Sequence, residues 1–135
     1  EAFQKRFAKD EIVVSVDVDT PYARSGSSFY KYMARGVLEI PTVNTAAFIT
    51  LNADGTCGQA RAMVGAVSWK PIVLELKELA GQHLSEEALR KSVQNVRALV
   101  EPMSDVRGSA TYKREMAVEF TARALMTAWK RAQKQ

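Results

Sequence analysis

One cysteine, one histidine and four prolines in 135 residues leave little material for several kinds of chemistry. The lone Cys57 rules out an internal disulfide framework and fits a reducing compartment, so a cytoplasmic protein is expected. With His83 as the only histidine, the usual Cys/His zinc site cannot be assembled. A Ser-His-Asp triad would have to rest on His83, and nothing in "LAGQHLSEE" orients that ring; it reads as a surface residue ahead of a helix cap. No apolar run approaches the roughly 18 residues of a membrane span, and the start "EAFQKRFAKD" has no hydrophobic signal region. Glu1 stands where an initiator methionine would, so a fragment or a processed chain is expected. Glycine is sparse too: "SGSS" holds a single one, and neither a Walker A loop nor a dinucleotide fingerprint is present.

What is present suits one globular domain over residues 1–135, with 47% hydrophobic and 25% charged residues and enough length to bury a core. The formal charge of +4 is mildly basic, but the cations are scattered. Only "WKRAQKQ" clusters them, where a basic helix end complements the macrodipole. Tyr30 and Tyr32 beside cations raise the idea of a single-strand stacking surface, but with so few aromatics and such dispersed charge no nucleic-acid partner is expected.

The run "EIVVSVDV" (11–18) alternates Val14, Val16 and Val18 with Val13, Ser15 and Asp17, the pattern of a half-buried strand. "TPYARSGSS" then reads as a connecting loop. "TAAFITL" and "TCGQARAMVGAV" flank "NADG", and Asp54-Gly55 marks a turn that needs positive φ, so a β-hairpin is expected over about residues 45–67. Glu75 and Glu78 lie in "LELKEL", a helical or turn segment whose acids solvate an exposed face. From Ser85 as N-cap, with Glu86 and Glu87 in the first turn, Leu89, Val93, Val96 and Val100 recur on one helical face until Pro102. A second helix is expected from Ser109 to about Lys130. Tyr112, Met116, Phe120 and Ala124 form one stripe on it; Val118, Leu125 and Trp129 form another on the opposite side. The second stripe is covered either by a neighbour outside the domain or by the domain's own core. The fold class is α+β: an antiparallel sheet packed against two C-terminal helices.

Two stretches remain. In "EPMSDVRGSATYKREMA" (101–117), Asp105, Arg107, Ser109 and Tyr112 crowd a helix entry, where carboxylate–guanidinium pairing and capping would fix the loop. In "SSFYKYMARGVLEIPTVNTAAF" (27–48), Lys31 follows a pair of aromatics whose packing can hold it with its ammonium aimed at an anionic or electron-rich group. Neither stretch, nor any pair of carboxylates, makes a stand-alone catalytic centre.

Three segments in order, "GSSFYKYMAR", "VNTAAFITLNADGTCGQARAMVGAV" and "PMSDVRGSATYKREMAVEFTARAL", resemble the C-terminal domain of the flavoprotein subunit of molybdenum hydroxylases, the carbon monoxide dehydrogenase and xanthine dehydrogenase family. The resemblance runs from about residue 11 to 130. It implies an oxidoreductase subunit whose FAD is held chiefly by N-terminal FAD-binding domains absent from this chain, so the domain alone is not expected to turn over. It further implies two partner subunits, a small one with iron-sulfur clusters and a large one with the molybdenum cofactor (molybdopterin). Electrons would pass from the molybdenum cofactor through the clusters to FAD.

By the same resemblance Lys31 is the cofactor-binding residue, close to the flavin ring, with residues 32–42 bordering it. Phe29 and Tyr30 would hold the strand, and Arg35 would pair with Glu39. The family's acidic pair after this loop is missing, for "LEIPTV" offers only Glu39, with Pro41 stiffening the turn. Asp105, Arg107 and Tyr112 are assigned structural or interface roles. The alternative to a flavin cap is a subunit-assembly module that never touches the cofactor.

Overall fold

The computed structural model describes residues 8–33 and 40–134. They form a four-stranded antiparallel meander, β1 (Ser25–Tyr32), β2 (Val43–Leu51), β3 (Cys57–Gly65) and β4 (Ile72–Glu75), in spatial order β1-β2-β3-β4. Three α-helices follow: α1 (Glu86–Ser92), α2 (Val96–Leu99) and α3 (Ala110–Ala132). They cover one face of the sheet, which is the α+β architecture expected.

Strand alternation decides what each face carries. On β2, Val43, Thr45, Ala47, Ile49 and Leu51 point inward and are buried, and Ala60, Ala62 and Val64 of β3 continue the layer. Against it α3 lays Ala117, Thr121, Ala124 and Ala128, small residues that let the helix come close. Closest of all is Gly26, where an added Cβ would collide with the Ala128 carbonyl. The hairpin turn is as the sequence suggests: Gly55 has φ +85°, and Asp54 Oδ1 accepts hydrogen bonds from the Thr56 amide at 2.9 Å and its hydroxyl at 2.7 Å.

Both helix caps hold. Ser85 Oγ accepts from the Ala88 amide and Ser109 Oγ from the Tyr112 amide, each at 3.1 Å. The first expected helix, however, is broken into α1 and α2. The chain turns at Val93–Asn95, among poor helix formers, with Ser92 Oγ donating back to the Leu89 carbonyl. Leu89, Val93, Val96 and Val100 stay buried across the break.

Three expectations need correcting. The loop expected over "TPYARSGSS" ends at Arg24, because Ser25–Ser28 already belong to β1. Residues 11–18 form no strand: the segment has no regular secondary structure, it is exposed, and no strand among the described residues pairs with it. The "LELKEL" segment is helical only in its second half, a short 3-10 helix over Lys77–Leu79; Ile72–Glu75 is strand β4, because Leu74 and then Leu76 face the core while Glu75 turns outward to Arg61 at 2.9 Å. Of the two covers left open for the second stripe of α3, the domain's own core is the one found: Val118 and Leu125 are buried where α1 and α2 pack on α3, and Trp129 is half-buried against the same core. That stripe needs no outside neighbour.

Candidate functional site

β1 positions the residues singled out in the sequence. Tyr30 and Tyr32 turn inward to α3, so Lys31 between them must stand on the open face of the sheet, together with Phe29 two residues earlier. Tyr30 packs on Phe120 with ring centroids 6.1 Å apart, and its hydroxyl lies 3.0 Å from Thr127 Oγ1. Tyr32 stacks on Phe120 at 4.6 Å, and its hydroxyl meets that of Tyr112 at 2.6 Å. Two tyrosines thus hold the strand. Phe29, expected to do so, is instead 62% exposed beside Lys31.

Across the open face, register aligns Phe29 with Ala46, Ala46 with Met63 and Met63 with Val73, an apolar row that crosses all four strands. On one side of it lies the Arg61–Glu75 ion pair. On the other, Lys31 sits opposite Asn44, and Asn44 opposite Gly65. Among the described residues no carboxylate pairs with Lys31. The expected Arg35–Glu39 pair and most of the loop after Lys31 lie outside the described residues. Thr42, where the chain re-enters the sheet, donates its amide to the Tyr32 carbonyl at 2.8 Å; its buried hydroxyl has no partner among the described residues.

The second candidate stretch is built at the same end of the molecule, around the start of α3. Asp105 accepts from Arg107 at 2.6 Å and from Lys113 Nζ at 2.7 Å, and Lys113, only 5% exposed, also donates to the Met103 carbonyl at 2.8 Å. The bond from Arg107, followed by that from Lys113, holds the Asp105 carboxyl well below its ordinary range. Asp105 and Gly108 exchange amide–carbonyl bonds of 3.1 Å, and Gly108, at φ +144°, backs onto the Tyr112 ring. The neighbouring Tyr32 hydroxyl raises the Tyr112 phenol above its usual pKa. The sequence assigned Asp105, Arg107 and Tyr112 structural or interface roles and missed Lys113, whose burial follows from its place on the inner side of the first turn of α3. Beside this knot a groove of about 300 Å³ is lined by Trp69, Met103, Asp105, Arg107 and Lys113. Trp69 is 97% exposed, and Met103 and Val106 are nearly as open.

Among the described residues the open face offers one cation without a carboxylate partner, Lys31, and two phenylalanines, Phe29 and Phe48. That donor set suits the edge of an electron-rich ring held by something else. A cradle for a whole nucleotide is a different arrangement, and the described residues around Lys31 do not make one.

A profile of the CO dehydrogenase flavoprotein C-terminal domain matches residues 28–128. The FAD subunit of nicotinate dehydrogenase from Eubacterium barkeri is 30% identical over 119 residues, 85% of this chain and 40% of that protein. Among solved structures, carbon monoxide dehydrogenase from Hydrogenophaga pseudoflava superimposes with a TM-score of 0.75 at 29% identity. The enzyme from Oligotropha carboxidovorans superimposes with a TM-score of 0.72, also at 29%. In both structures the match covers 84% of this chain and 40% of the other. The chain therefore spans well under half the length of the relatives it matches.

Proposed function

The chain belongs to the CO dehydrogenase flavoprotein C-terminal domain family, and from that premise we propose that it caps an FAD held chiefly by other domains of the same subunit. The observation that carries this is the placement of Lys31: a cation between two anchored tyrosines, turned away from its own core, with no carboxylate partner among the described residues. Bound there, FAD would supply the redox chemistry, taking up electrons and passing them on. Lys31 would place its ammonium at the ring edge and favour the negative charge that gathers there on reduction. Phe29, on the same face, would keep water from that edge.

In the complete assembly the electrons would arrive from a molybdenum cofactor through iron-sulfur clusters carried by partner subunits. Docking to the FAD-holding domains is supported by the apolar row through Phe29, Met63 and Val73 and by the exposed Ile12, Val14, Val16 and Val18, which suit a strand paired outside this chain. An assembly role without flavin contact is the second reading, favoured by the exposed Trp69, Met103 and Val106.

One variant separates the two. In the complete FAD subunit, Lys31→Ala is expected to lower the flavin midpoint potential by on the order of 20 to 40 mV, about 1 to 2 kcal/mol over two electrons. Thermal stability should barely change, because the side chain is exposed. An unchanged potential would remove Lys31 from the flavin and leave the assembly role.

A further inference from the structure

Among the described residues no side-chain bond fixes Lys31, yet an electrostatic role at a ring edge needs its backbone held to within a fraction of an ångström. Tyr30, before it, is tied to Thr127 in the middle of the β1–α3 contact. Tyr32, after it, is the last residue of β1, and beyond it the chain enters the 33–42 connection. What holds Tyr32 therefore holds the open end of the strand.

Three contacts do so. The ring stacks on Phe120, the carbonyl accepts from the Thr42 amide, and the hydroxyl meets Tyr112 across 80 residues of sequence. Only the last of these links the strand to the "SDVRGSATYK" segment, and that segment is itself tightly built. Asp105 ties Arg107 to Lys113, the Asp105–Gly108 bridge closes the turn, and Ser104 Oγ accepts from the Ala110 amide at 2.9 Å. Gly108 lies so near the Tyr112 ring that a Cβ there would stand 2.8 Å from Cδ1. Tyr112 is part-exposed, yet its ring and its amide are both fixed. The whole knot delivers one hydroxyl to the end of β1.

We infer that Tyr112 is a positioning residue for the cofactor-facing edge: through its bond to Tyr32 it sets where β1 ends, and so where Lys31 and the start of the following connection stand. The inference rests on the proposed flavin-capping function for its consequence, but not for its geometry. Tyr112→Phe keeps the ring and removes only the hydroxyl, and Tyr32→Phe removes the same bond from the other side.

The test uses the complete FAD subunit with two readouts. Hydrogen exchange at the Thr42 amide is expected to quicken about fivefold in either variant, the equilibrium worth of one hydrogen bond, and no further in the double variant. The flavin midpoint potential is expected to shift in Tyr112→Phe in the same direction as in Lys31→Ala, and to show no added shift when the two are combined. A merely structural tyrosine would lower the melting temperature and leave the potential where it was. If Lys31→Ala moves the potential and Tyr112→Phe does not, the positioning role is wrong and flavin capping stands. If Lys31→Ala leaves the potential unmoved, flavin capping fails, and the Thr42 exchange rate alone decides whether Tyr112 fixes the strand end. Unchanged exchange in both tyrosine variants overturns the inference outright.

Discussion

At Gly26 the sheet and α3 come so close that no side chain fits, since a Cβ there would run into the Ala128 carbonyl and lie 2.6 Å from the Ala132 amide nitrogen. Both obstacles are backbone, which cannot move aside without lifting the helix. Gly26→Ala is therefore expected to destabilise the domain by about 3 kcal/mol or more, read as a lower urea midpoint at unchanged slope. The sequence showed only a glycine in "SGSS" and read it as loop, because nothing local announces a helix arriving from 100 residues away. Lys31 was marked by the aromatics beside it and by the family resemblance, and its facing follows once β1 is known, because alternation sends it to the face opposite its tyrosine neighbours. Phe29 misled, for an aromatic at that position reads as an anchor until the register shows it standing beside Lys31 on the open side. Lys113 was missed for the opposite reason, as a lysine in a polar run gives no sign that its stem is buried and its ammonium shared between Asp105 and the Met103 carbonyl.

Among the elements, the β2–β3 hairpin and the starts of α1 and α3 were legible because each carries its own punctuation: Asp54-Gly55 for the turn, Ser85 and Ser109 for the caps. The α1–α2 break was hidden, since its apolar spacing is that of one continuous helix and the burial is the same in either case. Residues 11–18 misled because alternation specifies a strand's faces but not its partner, and no described strand pairs with them. The turn between α2 and α3 depends on charge as well as on caps. Asp105 has its pKa lowered in the fold by Arg107 and Lys113, so its stabilising contribution is complete well above its ordinary value of 3.8 and is lost as the pH falls below it. Glu115, held down by Arg97, and Glu119, held down by Arg123 and Arg90, act with the same sign. Stability is therefore expected to fall on acidification below about pH 4, and Asp105→Asn to flatten that dependence, as followed by thermal melts at a series of pH values. An equally steep acid loss in the variant would assign the effect to the glutamates.

In the molecule as a whole, the helices take one face of the sheet and leave the other open, and the two stretches singled out in the sequence meet at one end of it. "FYKY" supplies Lys31 to the open face, while "SDVRGSATYK" supplies the hydroxyl that pins the end of the same strand. Their meeting could not be read from spacing, because 80 residues separate Tyr32 from Tyr112 and only the fold of β1 against α3 joins them. The open side, with its apolar row and a lysine that no described carboxylate pairs, suits a domain that completes a larger subunit. A crystal structure of the complete subunit with FAD bound puts that most directly to the test. Lys31 Nζ is expected within about 4 Å of the isoalloxazine edge, a distance at which opposite charges interact appreciably, with Phe29 covered by the adjoining domain. A flavin far from the open sheet face, with Lys31 and Phe29 still in solvent, would contradict the account.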